Sequence, residues 1–364
     1  MVLIIKEKIA AILATAVFLA LCPGAEAQGL PEVSADCAVV MHSDGQVLFE
    51  KNSDKRALIA STTKLMTALV VLEEAELDET VEIGPEHCGI EGSTMYLREG
   101  ESYTVRELLL GLLLVSGNDA AAALADHVSG SQKGFVRLMN RRARALDMRE
   151  TRFANPHGLD QDGHYSTAGD MARLMCACMK NDRFREFAGT KGCTVKDQYL
   201  LNHNRLLGAY PGCIAGKTGY TSAAGRCLVT CCQRDGTELV CVTLSAPDDW
   251  NDHMRLYDWA YARYGTRDIT SSLSFDVPVV SGSAETVTVA PAESISLFMP
   301  KSLEVEIRAE LPQFVFAPVK IGETAGNIWV IIEGEQVAGC ELIYTRDVKL
   351  ATRCANNLAA LEKL

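Results

Sequence analysis

At about Ser271 the hydrophobic pattern of this chain changes period, and that change limits its fold more than any other feature. Before it, apolar residues recur at helical spacing or in short runs bounded by turn residues. After it they alternate, as in Thr286-Val287-Thr288-Val289, Leu303-Glu304-Val305-Glu306-Ile307 and Ile328-Trp329-Val330-Ile331-Ile332, with Gly322, Gly326, Gly334 and Gly339 between the runs. A period of two puts apolar side chains on one face of a strand. The later part is therefore expected to be a small all-β domain, distinct from a larger part that mixes helices and strands.

In the larger part, residues 37–42 and 46–50 flank Asp44-Gly45 and read as a hairpin. Residues 59–70 open an apolar helix that runs to about Glu74. Thr104 and Glu107 form a capping box ahead of the apolar run 108–115. Gly130 closes the next helix, Ser131 caps the one after it, and Thr167 caps another. Residues 213–218, 227–232 and 237–244 read as strands, the last two joined by Asp235-Gly236, and 248–264 as a helix. The expected class is α+β: an antiparallel sheet flanked by helices, followed by the small all-β C-terminal domain.

The expected organisation is 1–27 as a signal peptide, 28–268 as the larger domain, 269–347 as the β domain and 348–364 as a C-terminal helix. Lys6 and Lys8 precede an apolar run over 9–21, and Ala25-Glu26-Ala27 supplies a small-x-small cleavage signal. The N-terminus is read as standing apart from the fold, with the mature chain starting at Gln28 outside the cytoplasm. Leu350, Cys354, Leu358 and Leu361 make a helical stripe that suits an interfacial membrane anchor or docking on the β domain. A net charge of −12 speaks against a nucleic-acid partner.

Thirteen cysteines occur without a pair of Cys-x-x-Cys motifs at zinc spacing, so no metal is expected. Cys227, Cys231, Cys232 and Cys241 lie in strand-like runs, and Cys176 and Cys178 in a helix-like one. Buried reduced thiols fit this pattern best, and a single bridge is compatible with it.

Three short motifs carry the chemistry. Ser61 and Lys64 are three residues apart at a helix start, which puts both on one face. A serine becomes a nucleophile when a neighbour takes its proton, and a lysine with a lowered pKa can do so. Ser116-Gly117-Asn118 and Lys217-Thr218-Gly219 follow in order. Alone, each has a plain structural reading as a helix cap or a strand end. His157, in the loop 155–160, reads as a brace for backbone groups.

Together the three motifs resemble the active site of the penicillin-recognising serine enzymes. Ser116-Gly117-Asn118-Asp119-Ala120, Asn155-Pro156-His157-Gly158-Leu159-Asp160 and Gly216-Lys217-Thr218-Gly219-Tyr220-Thr221 resemble the serine D-alanyl-D-alanine carboxypeptidases, the low-molecular-mass penicillin-binding proteins. The stretch 246–253 is similar to the branch found in spore-forming Gram-positive bacteria.

The resemblance implies Ser61 as the acylated nucleophile and Lys64 as its base. Ser116 would relay the proton to the leaving amine, and Asn118 would hold the substrate amide and orient Lys64. Lys217 and Thr218 would bind the terminal carboxylate, and the charge of Lys217 would favour neutral Lys64. Gly219 would admit the substrate to the strand edge, and the amides of Ser61 and Tyr220 would form the oxyanion hole. No cofactor is implied. The implied partners are stem peptides ending in D-Ala-D-Ala, with β-lactams as inhibitors.

Two positions depart from the family pattern. Some members carry an arginine on a later strand where this chain has Ser245-Ala246-Pro247-Asp248. Gly169 stands in Ser166-Thr167-Ala168-Gly169-Asp170 where arginine is common.

Two other functions remain to be weighed. A serine β-lactamase would need a glutamate in the loop 151–166 to activate water, and none is there. A peptidoglycan-binding or β-lactam-sensing module would not need the full catalytic set.

Overall fold

The computed structural model describes residues 2–6 and 29–352. The chain divides into two compact units, 28–262 and 263–364, the second including the N-terminal strand. The observed class is the expected one.

The first unit is built on a five-stranded antiparallel sheet. Its order is Val47–Lys51, Cys37–His42, Thr237–Leu244, Gly225–Arg234, Cys213–Thr221. Thr237–Leu244 is buried along its whole length, and its middle, Leu239 to Val242, is continuously apolar rather than alternating. Helix Asp249–Arg263 packs on this sheet through His253, whose ring nitrogens meet the hydroxyls of Thr230 at 2.7 Å and Thr243 at 3.0 Å. Burial pulls that imidazole down to about 3.

Helix Lys64–Glu74 is buried from Lys64 to Val71 and forms the centre of the helical part. A helix apolar on every side can only sit inside a domain. The caps read from sequence are present. Thr104 Oγ1 accepts from the Glu107 amide at 3.2 Å while Glu107 Oε2 accepts from the Thr104 amide at 2.8 Å. Ser131 and Thr167 cap helices Gln132–Ala145 and Ala168–Cys178, and Gly130 ends helix Asn118–Ser129 with a φ of 70°.

The second unit contains a seven-stranded sheet. Its order is Val2–Lys6, Glu306–Glu310, Thr324–Ile332, Glu335–Tyr344, Thr286–Pro291, Phe275–Val280, Val315–Phe316. Strand Tyr264–Asp268 pairs with Ser296–Pro300 in this unit, and the expected boundary at 268 falls at its end. The alternating runs bury Val287, Val289, Ile307, Ile328 and Val330 in one core.

Two details differ from the sequence reading. Val2–Lys6 is not apart from the fold but pairs antiparallel with Glu306–Glu310. A free edge strand leaves its amides and carbonyls unpaired, and a β-branched run is a ready partner for it. The apolar run 9–21 and the signal 25–27 lie outside the described residues. At the other end Val348 and Leu350 form β-bridges with Val319 and Gly282. The helix expected from 348 therefore does not begin there, and 353–364 lie outside the described residues.

Candidate active site

Ser61 sits in the 3-10 turn Ala60–Thr63, whose end runs directly into helix Lys64–Glu74. Ala60, just before it, holds a left-handed backbone with φ 47°. Such conformations cost energy in a non-glycine residue and concentrate at functional sites.

The turn brings Lys64 Nζ to 2.9 Å from Ser61 Oγ. The same nitrogen lies 2.6 Å from Asn118 Oδ1 and 2.6 Å from the carbonyl oxygen of His157. Asn118 is oriented by its Nδ2, which donates to the Glu91 carbonyl at 2.6 Å. Both Asn118 Oδ1 and the His157 carbonyl can only accept. A neutral Lys64 therefore spends its N–H groups on them and turns its lone pair to the Ser61 hydroxyl.

Lys64 is fully buried, and burial holds its ammonium well below the usual lysine value. The nearby Lys217 charge acts in the same direction and Asp119 opposes both. The like-charge effect expected of Lys217 is thus present but second to desolvation. Lys217 is also buried, and burial alone brings it down to about 7. Its Nζ donates to the Thr218 carbonyl at 2.9 Å.

Lys217, Thr218, Gly219 and Tyr220 lie on the edge strand Cys213–Thr221. Gly219 is pressed to the Ser61 turn: a β-carbon there would fall 3.0 Å from the amide nitrogens of Ser61 and Thr62. A side chain would fit only if the Ser61 turn gave way by a few tenths of an ångström. Tyr220 follows with its side chain exposed.

Ser116 is buried with φ 63°, and its Oγ has no hydrogen-bond partner among the described residues. A buried hydroxyl without a partner is uncommon and marks a position worth explaining. Asn118 opens helix Asn118–Ser129, and its amide donates to the Ser93 carbonyl at 2.8 Å. The structure thus gathers Ser61, Lys64 and Asn118 by direct contact, and Gly219 by packing. It gives Ser116 no hydrogen bond to the others.

Sequence reasoning missed several contributors. The His157 carbonyl acts through the backbone, which no side-chain motif reports. Its ring behaves as expected, with Nδ1 accepting from the Leu159 amide at 3.2 Å, and burial lowers it to about 4. Asn155 shapes that loop by accepting from the Gly158 amide at 2.7 Å and donating to the Leu159 carbonyl at 2.9 Å. His164 Nε2 meets Thr63 Oγ1 at 2.8 Å and ties the loop's far end to the Ser61 turn. Asp119 accepts from the Met95 and Leu97 amides at 3.1 Å, bracing the segment whose Ser93 carbonyl receives the Asn118 amide.

Glu86, His87 and Asp126 form a cluster of metal-binding residue types. The Gly84 amide donates to His87 Nδ1 at 3.1 Å, so in the neutral ring the proton is on Nε2, 3.2 Å from Asp126 Oδ2. That nitrogen donates a hydrogen bond and has no lone pair for an ion.

Residues 24–248 match the D-alanyl-D-alanine carboxypeptidase family, and residues 273–350 match the C-terminal domain of penicillin-binding protein 5. D-alanyl-D-alanine carboxypeptidase DacF of Bacillus subtilis is 32% identical over 336 residues, 87% of this chain and 86% of that protein. DacC of Escherichia coli is 32% identical over 346 residues, 88% of this chain and 85% of that protein. The crystal structure of penicillin-binding protein 5 from Haemophilus influenzae superposes with a TM-score of 0.68 at 28% identity, covering 88% of this chain and 99% of that one. The chain belongs to the serine D-alanyl-D-alanine carboxypeptidases, hydrolases of the penicillin-recognising serine enzyme family.

Proposed function

We propose that this chain is an exported DD-carboxypeptidase that removes the terminal D-alanine from peptidoglycan stem pentapeptides through an acyl-enzyme on Ser61. The observation that carries this reading is Lys64 Nζ, held by Asn118 Oδ1 and the His157 carbonyl and 2.9 Å from Ser61 Oγ. A buried, hydrogen-bonded amine of lowered pKa beside a hydroxyl is a base for nucleophilic catalysis.

In the proposed reaction Ser61 Oγ attacks the carbonyl carbon of the penultimate D-alanine and Lys64 accepts its proton. The amides of Ser61 and Tyr220 receive the oxyanion. Collapse breaks the peptide bond, and the departing D-alanine nitrogen takes a proton from Lys64 by way of Ser116 Oγ. Water, deprotonated by Lys64, then cleaves the ester and restores the Ser61 hydroxyl. Asn118 holds the substrate amide, Lys217 and Thr218 hold the terminal carboxylate, and Gly219 leaves room for the substrate backbone. A β-lactam would acylate Ser61 by the same first step.

Export is supported by the N-terminal charge, the apolar run and the small-x-small signal; cleavage there would remove strand Val2–Lys6 and leave Glu306–Glu310 without that partner. Activity would then lie on the outer face of the cytoplasmic membrane. Among the described residues no helix is long and apolar enough to cross a membrane. Peripheral contact through the sequence stripe Leu350, Cys354, Leu358 and Leu361 is part of the proposal.

D-alanine release from diacetyl-Lys-D-Ala-D-Ala tests the reading. Release by the wild type and none by Ser61→Ala is expected. A folded wild type that releases none, yet forms a stable penicillin adduct, would make the chain a sensing module instead.

A further inference from the structure

The mechanism leaves the cysteines of the sheet unused, and two of them face each other. Cys213 opens strand Cys213–Thr221, and its register partner is Cys232 on Gly225–Arg234. Beside the pair, the Gln233 amide donates to the Gly212 carbonyl at 2.8 Å. The Cys213 amide instead turns back to the Tyr210 carbonyl at 3.2 Å, and the Cys232 carbonyl accepts from the Tyr261 hydroxyl at 2.8 Å.

Cys213 and Cys232 are therefore a non-hydrogen-bonded antiparallel pair beside a β-bulge, the register shifting between Cys213 and Ala215; in regular pairs of this kind α-carbons stand about 4.5 Å apart and side chains are closest. A disulfide spans α-carbon separations of about 4.4–6.8 Å. Cys231, next along the strand, points to the opposite face of the sheet.

The two thiols are chemically unequal. A hydrogen bond from the Cys232 thiol, helped by the Asn204 amide, pulls Cys213 below the ordinary thiol value. Burial pushes Cys232 up, and its contact with Cys213 adds to this. Cys213 is partly exposed and Cys232 buried. An accessible thiol with more thiolate beside a shielded one is the arrangement of an attacking and a resolving cysteine.

We propose that Cys213 and Cys232 are a dithiol that closes to a cross-strand disulfide when the protein meets a low-molecular-mass disulfide. The Cys213 thiolate attacks one sulfur of the oxidant, whose S–S bond breaks and releases one thiol. The Cys232 thiol then loses its proton and attacks the Cys213 sulfur of the mixed disulfide, releasing the second thiol. Two protein thiols are oxidised and one external disulfide is reduced to two thiols. The bond closes the hairpin that carries Lys217, Thr218, Gly219 and Tyr220. It restricts the unfolded chain and pins the start of that strand.

The test uses the full chain, reduced and then exposed to oxidised glutathione. Tryptic digestion without reductant should link the peptide of residues 206–217 to that of 227–234. The link should survive in Cys231→Ser and vanish in Cys232→Ser, which should keep glutathione on Cys213. The melting temperature should rise on oxidation in the wild type and not in Cys213→Ser, a substitution at a partly exposed position. That comparison also decides the matter if Cys232→Ser does not fold. An unlinked wild type after oxidation, a link that persists in Cys232→Ser, or an equal melting shift in Cys213→Ser would each overturn the proposal.

Discussion

Gly158 lies directly against Ala60, the residue before Ser61: a β-carbon on Gly158 would fall 2.0 Å from the Ala60 carbonyl oxygen. Gly158 also has φ 92°, a region costly for any residue with a side chain. The loop that carries the His157 carbonyl to Lys64 is thus fitted to the Ser61 turn at a point where only glycine goes.

Gly158→Ala should therefore damage stability and catalysis together. The backbone conformation alone should cost at least ~1–3 kcal/mol, before the clash is counted. Denaturant unfolding and D-alanine release would read the two effects. A variant with wild-type stability and turnover would show that the contact is not required.

Asn118→Asp separates charge from shape. It keeps an acceptor 2.6 Å from Lys64 Nζ but makes it an anion, which holds Lys64 protonated and removes the proposed base. At neutral pH turnover should fall ~100-fold or more, and the rise of rate with pH should move to higher pH. A pH–kcat profile superimposable on the wild type would refute Lys64 as the base.

In the proposed mechanism the two lysines impose opposite pH dependences. Lys64 must be neutral to accept a proton, so its lowered pKa lets rate rise with pH early. Lys217 must be charged to bind a carboxylate, and it loses its proton as pH climbs through about 7. The value of kcat/KM for the free enzyme should therefore fall above about pH 7. In Lys217→Arg that fall should disappear, because a guanidinium stays charged. Profiles of the two proteins with the same acyl-D-Ala-D-Ala substrate give the comparison, and an identical alkaline limb in both would count against Lys217 as the clamp.

The elements were legible where side chains announce their own geometry. Thr104 and Glu107, Ser131, Thr167 and Gly130 each carry a capping signal that tertiary structure does not override. The alternation from Thr286 onward marked strands for the same reason. The Ser61–Lys64 spacing implied contact because helical periodicity alone enforces it. What stayed hidden depends on backbone atoms and distant partners. The His157 carbonyl, the Glu91 carbonyl behind Asn118 and the Asp119 brace have no residue-type signature. The strand pairing of Val2–Lys6 and the bridges of Val348 and Leu350 were also out of reach, since short apolar runs do not name their partners.

The central claim is that Ser61 is the acylated residue. It is tested most directly by treating the protein with benzylpenicillin and mapping the covalent adduct by mass spectrometry. The account predicts one adduct per chain, on the tryptic peptide of residues 57–64, and none in a folded Ser61→Ala variant. An adduct that persists in that variant, or one on a different peptide, would contradict it.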